Sequence, residues 1–414
     1  MKYIKVRKST LRGKVTVSGA KNSALKLLSA SILSAKDIFL PNFPVGLLDV
    51  DVHLEMLKHL GKEIVISGSN VTIKELNAVD ELKWEERSIR NTLLMLGCLL
   101  TRHGKGRVPL PGGCKLGERK YDIHVMIFES LGARVWEEEN YLCVASEGRL
   151  KGTDINLPMR STGATENAIL CGTLAEGTTT IWNPHIRPEI IDLIDMLSKM
   201  GADITVHGQQ KIVVNGVAEL KGCEHQVIPD NMEALTWLVA SVVTNGDLEI
   251  MNFPFEHLEV PLIFLRESGA KFFTGQNSLI VRGGTPYPIE ISTGPYPGIN
   301  SDMQPLFAVF GAMSQGVSKI IDLRFPGRYG YAEELHKMGM SYEENGDILL
   351  INGGNKLTGA EVRAVDLRAG IALLIAGLTA DGDTLISDAW QITRGYENII
   401  EKVTNLGGII EEVN

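Results

Sequence analysis

The chain has 414 residues, 41 Lys+Arg against 50 Asp+Glu for a formal net charge of −9, and 44% hydrophobic residues. That length implies about two to three domains, and the ordinary apolar content excludes general disorder. The acidic balance and the 6% aromatic content exclude nucleic acid as the main partner.

In chain order, the basic start Met1–Lys8 runs into no apolar signal region, and no stretch reaches the ~18 apolar residues of a membrane helix. A soluble cytoplasmic protein is therefore expected. The strand-like Val15-Thr16-Val17 leads into Ser18-Gly19-Ala20-Lys21-Asn22 and an apolar helix. A helix ending at Leu60-Gly61-Lys62 follows. That ending recurs at Gly132, Gly201, Gly269, Gly339 and Gly407, at spacings of 71, 69, 68, 70 and 68 residues. A glycine after an amphipathic run such as Ile190–Leu197 reads as a left-handed helix C-cap. Strand pairs follow, as in Arg134–Trp136 and Tyr141–Val144. Inside each unit a polar turn opens a second, apolar helix. The turns are Lys21-Asn22, Arg87–Arg90, Ser161–Ala164, Pro229–Glu233, Asn300–Gln304 and Asp366-Leu367-Arg368. The chain thus reads as six βαβαββ-type repeats of about 70 residues, grouped into larger domains because one repeat cannot bury a core alone.

Helix N-termini favour anions. The cations Lys21, Arg90 and Arg368 at helix starts oppose the helix dipole, so each is expected to answer to a bound anion or a local acid. Ser161, Thr162 and Asp230 divide evenly between capping alone and anion binding. The five cysteines are scattered without a C-x-x-C pair, which gives neither a zinc site nor a disulfide framework. Cys98, Cys143 and Cys171 lie in apolar runs and read as buried small hydrophobes. Cys114 differs. It sits in the Gly-rich loop Leu110–Arg119, where Lys115 and Arg119 favour the thiolate, so it reads as a nucleophile or general acid.

Ser18–Asn22, Leu110-Pro111-Gly112-Gly113-Cys114, Thr162–Asn167, Leu174–Thr179, Ser301–Gln304, Asp366–Arg368 and Arg394–Glu397 together, in order and spacing, resemble the UDP-N-acetylglucosamine enolpyruvyl transferases over the whole chain. The resemblance implies a fold of two inside-out α/β barrels with three repeats each. One barrel would span 21–228 and carry the Cys loop (111–121). The other would combine 1–20 with 229–414, and the active site would lie in the cleft between them. It also implies transfer of enolpyruvyl from phosphoenolpyruvate to the sugar 3-hydroxyl with loss of phosphate, as the first committed step of peptidoglycan synthesis. Phosphoenolpyruvate is then a co-substrate, and no cofactor or metal is expected. The implied catalytic residues are Cys114 as proton donor and fosfomycin target, Asp302 as base, and Lys21 and Arg394 at the phosphate. Arg119 joins them there, Arg328 and Arg368 hold the carboxylate, and Arg90 faces the nucleotide sugar. Asn22, Tyr121, Asp122, Ile123, Ser161 and Thr162 complete the implied substrate contacts, and Lys120 and Arg324, where the chain departs from the family, are read as added cations beside the uridine diphosphate.

The acceptor side departs from the family. Arg-Pro after the Cys loop becomes Arg119-Lys120. A lysine before Asp49 becomes Leu48. Phe-Glu-Asn-Arg-Phe becomes Phe325-Pro326-Gly327-Arg328-Tyr329, with Arg324 at an apolar position. A paralogue acting on another uridine nucleotide is the second reading. A non-catalytic nucleotide-sugar binder is the third, disfavoured by the joint presence of Cys114 and Asp302.

Overall fold

The computed structural model describes residues 3–111 and 121–413. The chain divides into two compact units, Met1–Ser18 with Pro229–Asn414, and Gly19–Ile228. Gly19 and Ala20 belong to the second of these, two residues earlier than the sequence boundary; the Ala20 N–H donates to the Ile228 carbonyl at 2.7 Å.

In the Gly19–Ile228 unit, the helices Lys21–Ala30, Thr92–His103 and Thr162–Gly172 follow the polar turns. Most of their residues are buried, and polar ones such as Ser23, Glu166 and Asn167 are buried with the apolar ones. A helix buried around its circumference is enclosed by its neighbours, so these form the centre. Thr92–His103 packs against both others. Contact with Thr162–Gly172 is close because Gly97 has no side chain: a Cβ there would lie 1.9 Å from Asn167 Oδ1. Sheets of four, three and four strands belong to this unit. The outer helices are amphipathic. Pro188–Lys199 starts with proline at its first turn and buries Ile190, Leu193, Ile194 and Leu197 on one face.

The other unit repeats the plan. Asn231–Val243, Gln304–Ala312 and Leu367–Gly377 are buried along their whole lengths. The middle helix again packs against both others. Its three sheets have four strands each. One of them pairs Tyr3–Arg7 with Asp383–Ser387 and with Ile409–Val413, both antiparallel, so the chain's two ends share a sheet. Each unit has its own apolar core.

The six repeat glycines behave as their spacing implies. Gly61, Gly132, Gly201, Gly269, Gly339 and Gly407 all have φ between +84° and +100°. Each stops an outer helix; the first five turn the chain into a hairpin, for example Ala133–Glu138 paired with Tyr141–Ser146, and Gly407 leads into Ile409–Val413, which pairs with Tyr3–Arg7.

Candidate active site

Asp366 caps the Leu367–Gly377 helix, accepting from the N–H groups of Arg368 and Ala369 at 2.7 and 2.8 Å. The cap fixes the first turn and with it Arg368, which is 6% exposed. Arg368 Nε donates to Asp302 Oδ2 at 3.5 Å, and Nη1 donates to the Tyr396 hydroxyl at 3.4 Å. Asp302 sits in a single 3-10 turn, Ser301–Met303, just before Gln304–Ala312. Asn300 Oδ1 accepts from the Asp302 N–H at 3.0 Å and sets that turn. Arg328 Nη1 donates to the other oxygen, Asp302 Oδ1, at 2.8 Å, while its Nη2 lies 3.7 Å from Asp366. One carboxylate thus lies between two largely buried arginines. Burial alone would lower both arginine pKa values. Asp302 and Asp366 hold Arg328 above its ordinary value, and Tyr396, Asp302 and Asp230 do the same for Arg368. Both guanidinium groups stay charged at any working pH.

Of the helix-start cations, Arg368 faces Asp302 and Lys21 also answers to a local acid. Lys21, the first residue of its helix and 8% exposed, donates to Asp49 Oδ2 at 3.0 Å. Arg87 Nη2 lies 3.5 Å from Asp49 Oδ1. Arg90 is not on the helix; it precedes the N-cap Asn91 by one residue. Its charge adds to burial in pushing the His124 pKa down to about 3. Ser161 and Asp230 cap their helices, with Ser161 Oγ accepting from the Ala164 N–H and Asp230 from Met232 and Glu233. Thr162 Oγ1 contacts His185 Nδ1 at 2.9 Å. Asn22 is half-buried in the first turn of its helix. Tyr121 and Ile123 pack half-buried against the core, with the Tyr121 hydroxyl donating to Glu137, while Asp122 is exposed. Arg394 is 8% exposed and donates to Gln391 at 2.9 Å. Arg324 is exposed, its guanidinium 5.4 Å from the Phe325 ring centroid. Cys114, Arg119 and Lys120 lie outside the described residues. Of the proposed set, Asp302, Arg328 and Arg368 therefore meet in one cluster, and Lys21 joins Asp49.

A family model described as EPSP synthase (3-phosphoshikimate 1-carboxyvinyltransferase) matches residues 6–403. The chain belongs to the EPSP synthase family. Within it, the chain is 39% identical over 422 residues to a protein of Shewanella piezotolerans named UDP-N-acetylglucosamine 1-carboxyvinyltransferase, covering 100% of both. A Shewanella halifaxensis protein of the same name is also 39% identical over full length. Among solved structures, the enolpyruvyl transferase NikO from Streptomyces tendae superposes with a TM-score of 0.89 at 24% identity, over 100% of this chain and 99% of that one. An EPSP synthase from Acinetobacter baumannii gives 0.77 at 19% identity, over 100% of both chains. At those identities the structures establish the two-barrel fold of the family and nothing more. The chain is an enolpyruvyl transferase by family.

This family member carries polar groups that sequence reasoning passed over. Asp49 was read only as the end of a departing run; its position in the first turn of Leu48–His59 is an acid signal at a helix start. Tyr396, in the Arg394–Glu397 motif, accepts from Arg368 and contacts Thr236 Oγ1 at 2.9 Å, a pairing that no local pattern marks. A buried polar set lines the centre of the Gly19–Ile228 unit. Glu166 has no exposed surface, and neither of its carboxylate oxygens has a hydrogen-bond partner. Lys26 lies 3.6 Å away, an ion pair longer than a hydrogen bond. Burial raises the Glu166 pKa to about 7, with Lys26 and Arg187 opposing and Glu189 adding to it. His53 is also held at about 3, by burial and then by Lys26. Among the described residues, no group of His, Cys, Asp and Glu could hold a metal ion, and no helix is long and apolar enough to cross a membrane.

Glu166 gives a signed pH prediction. Its folded pKa is raised above the unfolded value, so its contribution to stability is full below about pH 4.5 and is lost as pH rises through about 7. His53 and His124 act oppositely, since their folded pKa values are depressed: stability falls as pH drops below about 6.5 toward 3. Glu166→Gln removes only the first effect. Its stability relative to the unsubstituted protein should rise between about pH 4.5 and pH 7 and level off above that by denaturant unfolding. A pH-independent difference would remove the assignment of a raised pKa.

Proposed function

We propose that this protein transfers enolpyruvyl from phosphoenolpyruvate to the 3-hydroxyl of UDP-N-acetylglucosamine, releasing phosphate, as the first committed step of peptidoglycan synthesis in the cytoplasm. The observation that carries the reading is 39% identity over full length to relatives bearing that activity's name. The site chemistry agrees with it. Addition to phosphoenolpyruvate needs a proton donor at C3 of the enol, a base for the attacking hydroxyl, and fixed cations for carboxylate and phosphate. Cys114 is assigned as donor, Asp302 as base, Arg328 and Arg368 as carboxylate partners, and Lys21, Arg119 and Arg394 as phosphate partners. The hydroxyl oxygen attacks C2 as its proton passes to Asp302, while C3 takes a proton from the thiol. The tetrahedral ketal then breaks its C2–O bond to phosphate, which leaves with the proton held on Asp302, while the thiolate takes back a C3 proton and the C2=C3 double bond of the enol ether forms. Phosphoenolpyruvate is a co-substrate in this scheme, and no cofactor takes part.

Without substrate, Asp302 neutralises two arginines. An incoming carboxylate competes for those guanidinium groups, and each one it takes leaves Asp302 with more lone-pair capacity for a hydroxyl proton. Asn22, Arg90, Lys120, Tyr121, Asp122, Ile123, Ser161 and Thr162 are assigned to the nucleotide sugar. Arg324 is assigned to the uridine diphosphate, where with Lys120 it offsets the family lysine replaced by Leu48.

A second reading, transfer to another uridine nucleotide, is favoured by the departures at Leu48, Arg324 and Pro326-Gly327. Phosphate release from phosphoenolpyruvate separates the two. The expected acceptor is UDP-N-acetylglucosamine, with UMP and 3-phosphoshikimate inactive. Release with UMP alone selects the second reading. Arg324→Ala should weaken UDP-N-acetylglucosamine binding about twofold to fivefold by calorimetry, as an exposed charge contact does. Unchanged affinity removes Arg324 from the site.

A further inference from the structure

We infer that Asp322 is a positioning residue for the reaction, the clamp that holds Asp302 and Arg328 in mutual register; the inference rests on the function proposed above. Asp322 has no exposed surface. It follows the strand Val317–Ile321 and stands between two segments that each carry part of the cluster. Its Oδ1 accepts from the Arg324 and Phe325 N–H groups, both at 2.9 Å, and from Thr293 Oγ1 at 2.7 Å. Those bonds fold the loop that leads to Arg328. Its Oδ2 accepts from Ser301 Oγ at 2.6 Å and Gln304 Nε2 at 2.5 Å, which flank Asp302 on either side.

The two halves are closed by a second layer. Arg328 Nη1 donates to both Ser301 Oγ, at 3.1 Å, and Asp302. Gln304 Nε2 also approaches the Arg328 carbonyl at 3.3 Å, and Gln304 Oε1 accepts from the Tyr331 hydroxyl at 2.9 Å. One buried carboxylate therefore satisfies five donors on three segments. Only a carboxylate can do this, because it offers two acceptor oxygens and no donor. Asp322 itself contacts neither Asp302 nor Arg328 by a hydrogen bond among those described, so its action is through Ser301, Gln304 and the loop backbone.

Asp322→Asn turns one acceptor into an NH2 donor and sets it against either the loop N–H groups or the Ser301–Gln304 pair. Misplacing a reacting group by about 1 Å costs on the order of 10²-fold in rate. The expected result is a fall of about that size in kcat for phosphate release, with KM for UDP-N-acetylglucosamine within about threefold. Thr293→Val removes one Oδ1 bond and the acceptor of the Leu323 N–H while leaving the Ser301–Gln304 side and the Arg324 and Phe325 N–H bonds in place, and should keep kcat within about twofold. Ser301→Ala should lower kcat, and its effect should combine less than multiplicatively with Asp322→Asn.

A second readout does not depend on turnover. While Arg328 is held by Asp302 and Ser301, rotation of its guanidinium should be slow by nitrogen NMR, and Asp322→Asn should release it. Asp322→Asn with native kcat below its melting temperature, or with Arg328 still immobile, overturns the inference. So does a loss of kcat in Thr293→Val equal to that in Asp322→Asn. If Asp322→Asn does not fold, native kcat and an immobile Arg328 in Ser301→Ala overturn it instead. A wild-type protein that releases no phosphate with any acceptor ends the proposed function, whereas the Arg328 signal still decides the clamp.

Discussion

Cys114→Ala is expected to lose about 10²- to 10⁴-fold in kcat, the range a positioned general acid contributes, while still binding UDP-N-acetylglucosamine. Cys114→Asp should keep a measurable part of the rate, because a carboxyl group can also deliver a proton to C3 of the enol. The thiol is singled out by its surroundings in sequence. Lys115 and Arg119 favour the thiolate that an epoxide such as fosfomycin alkylates by ring opening. The other cysteines are poor competitors. Cys98, Cys143 and Cys171 are buried, and burial raises all three pKa values, that of Cys171 to about 12. Cys223 is half-buried and is likewise raised by burial. One adduct, at Cys114, with complete loss of turnover is the expected mass-spectrometric result. Full activity after complete labelling would remove Cys114 from the chemistry.

Asp302→Asn should lower kcat by a comparable factor, about 10²- to 10⁴-fold, if the carboxylate takes the hydroxyl proton. The structure adds a consequence of opposite sign. Asp302 neutralises Arg328 and Arg368 at 2.8 and 3.5 Å. With the charge gone, Arg328 keeps only the longer contact to Asp366 and Arg368 loses its nearest carboxylate, so both attract small anions more strongly. Inorganic phosphate should therefore inhibit, or bind to, the Asn variant more tightly than the parent, by calorimetry at low salt. Weaker phosphate binding in the variant would mean that the arginines and Asp302 do not compete in this way.

The fold was legible because its repeats are marked by backbone chemistry. A glycine at each left-handed C-cap leaves a fixed spacing, and helices such as Leu367–Gly377, apolar on nearly every side, announce that they lie inside. The cluster was legible in part, since Asp302, Arg328 and Arg368 fall in short polar turns at helix starts. What the sequence hid is long-range pairing. Nothing near Lys21 indicates that its partner is Asp49, and Asp322 is one acid in a strand-to-loop run until Ser301, Gln304 and Thr293 are seen around it. Glu166 is hidden for the same reason: one acidic residue in an apolar helix does not reveal whether a cation faces it. Arg90 shows a smaller error, as the helix starts later than the Arg87–Arg90 turn implied.

The central claim is transfer of an enolpyruvyl group to UDP-N-acetylglucosamine. The most direct test incubates the purified protein with that acceptor and phosphoenolpyruvate carrying carbon-13 in its three-carbon unit, and follows the nucleotide sugar by mass spectrometry. The account predicts a UDP-N-acetylglucosamine product bearing all three labelled carbons as an enol ether on the 3-hydroxyl, formed in step with free phosphate. An unlabelled nucleotide sugar, while phosphate is released with a different uridine nucleotide that gains the label, would contradict it.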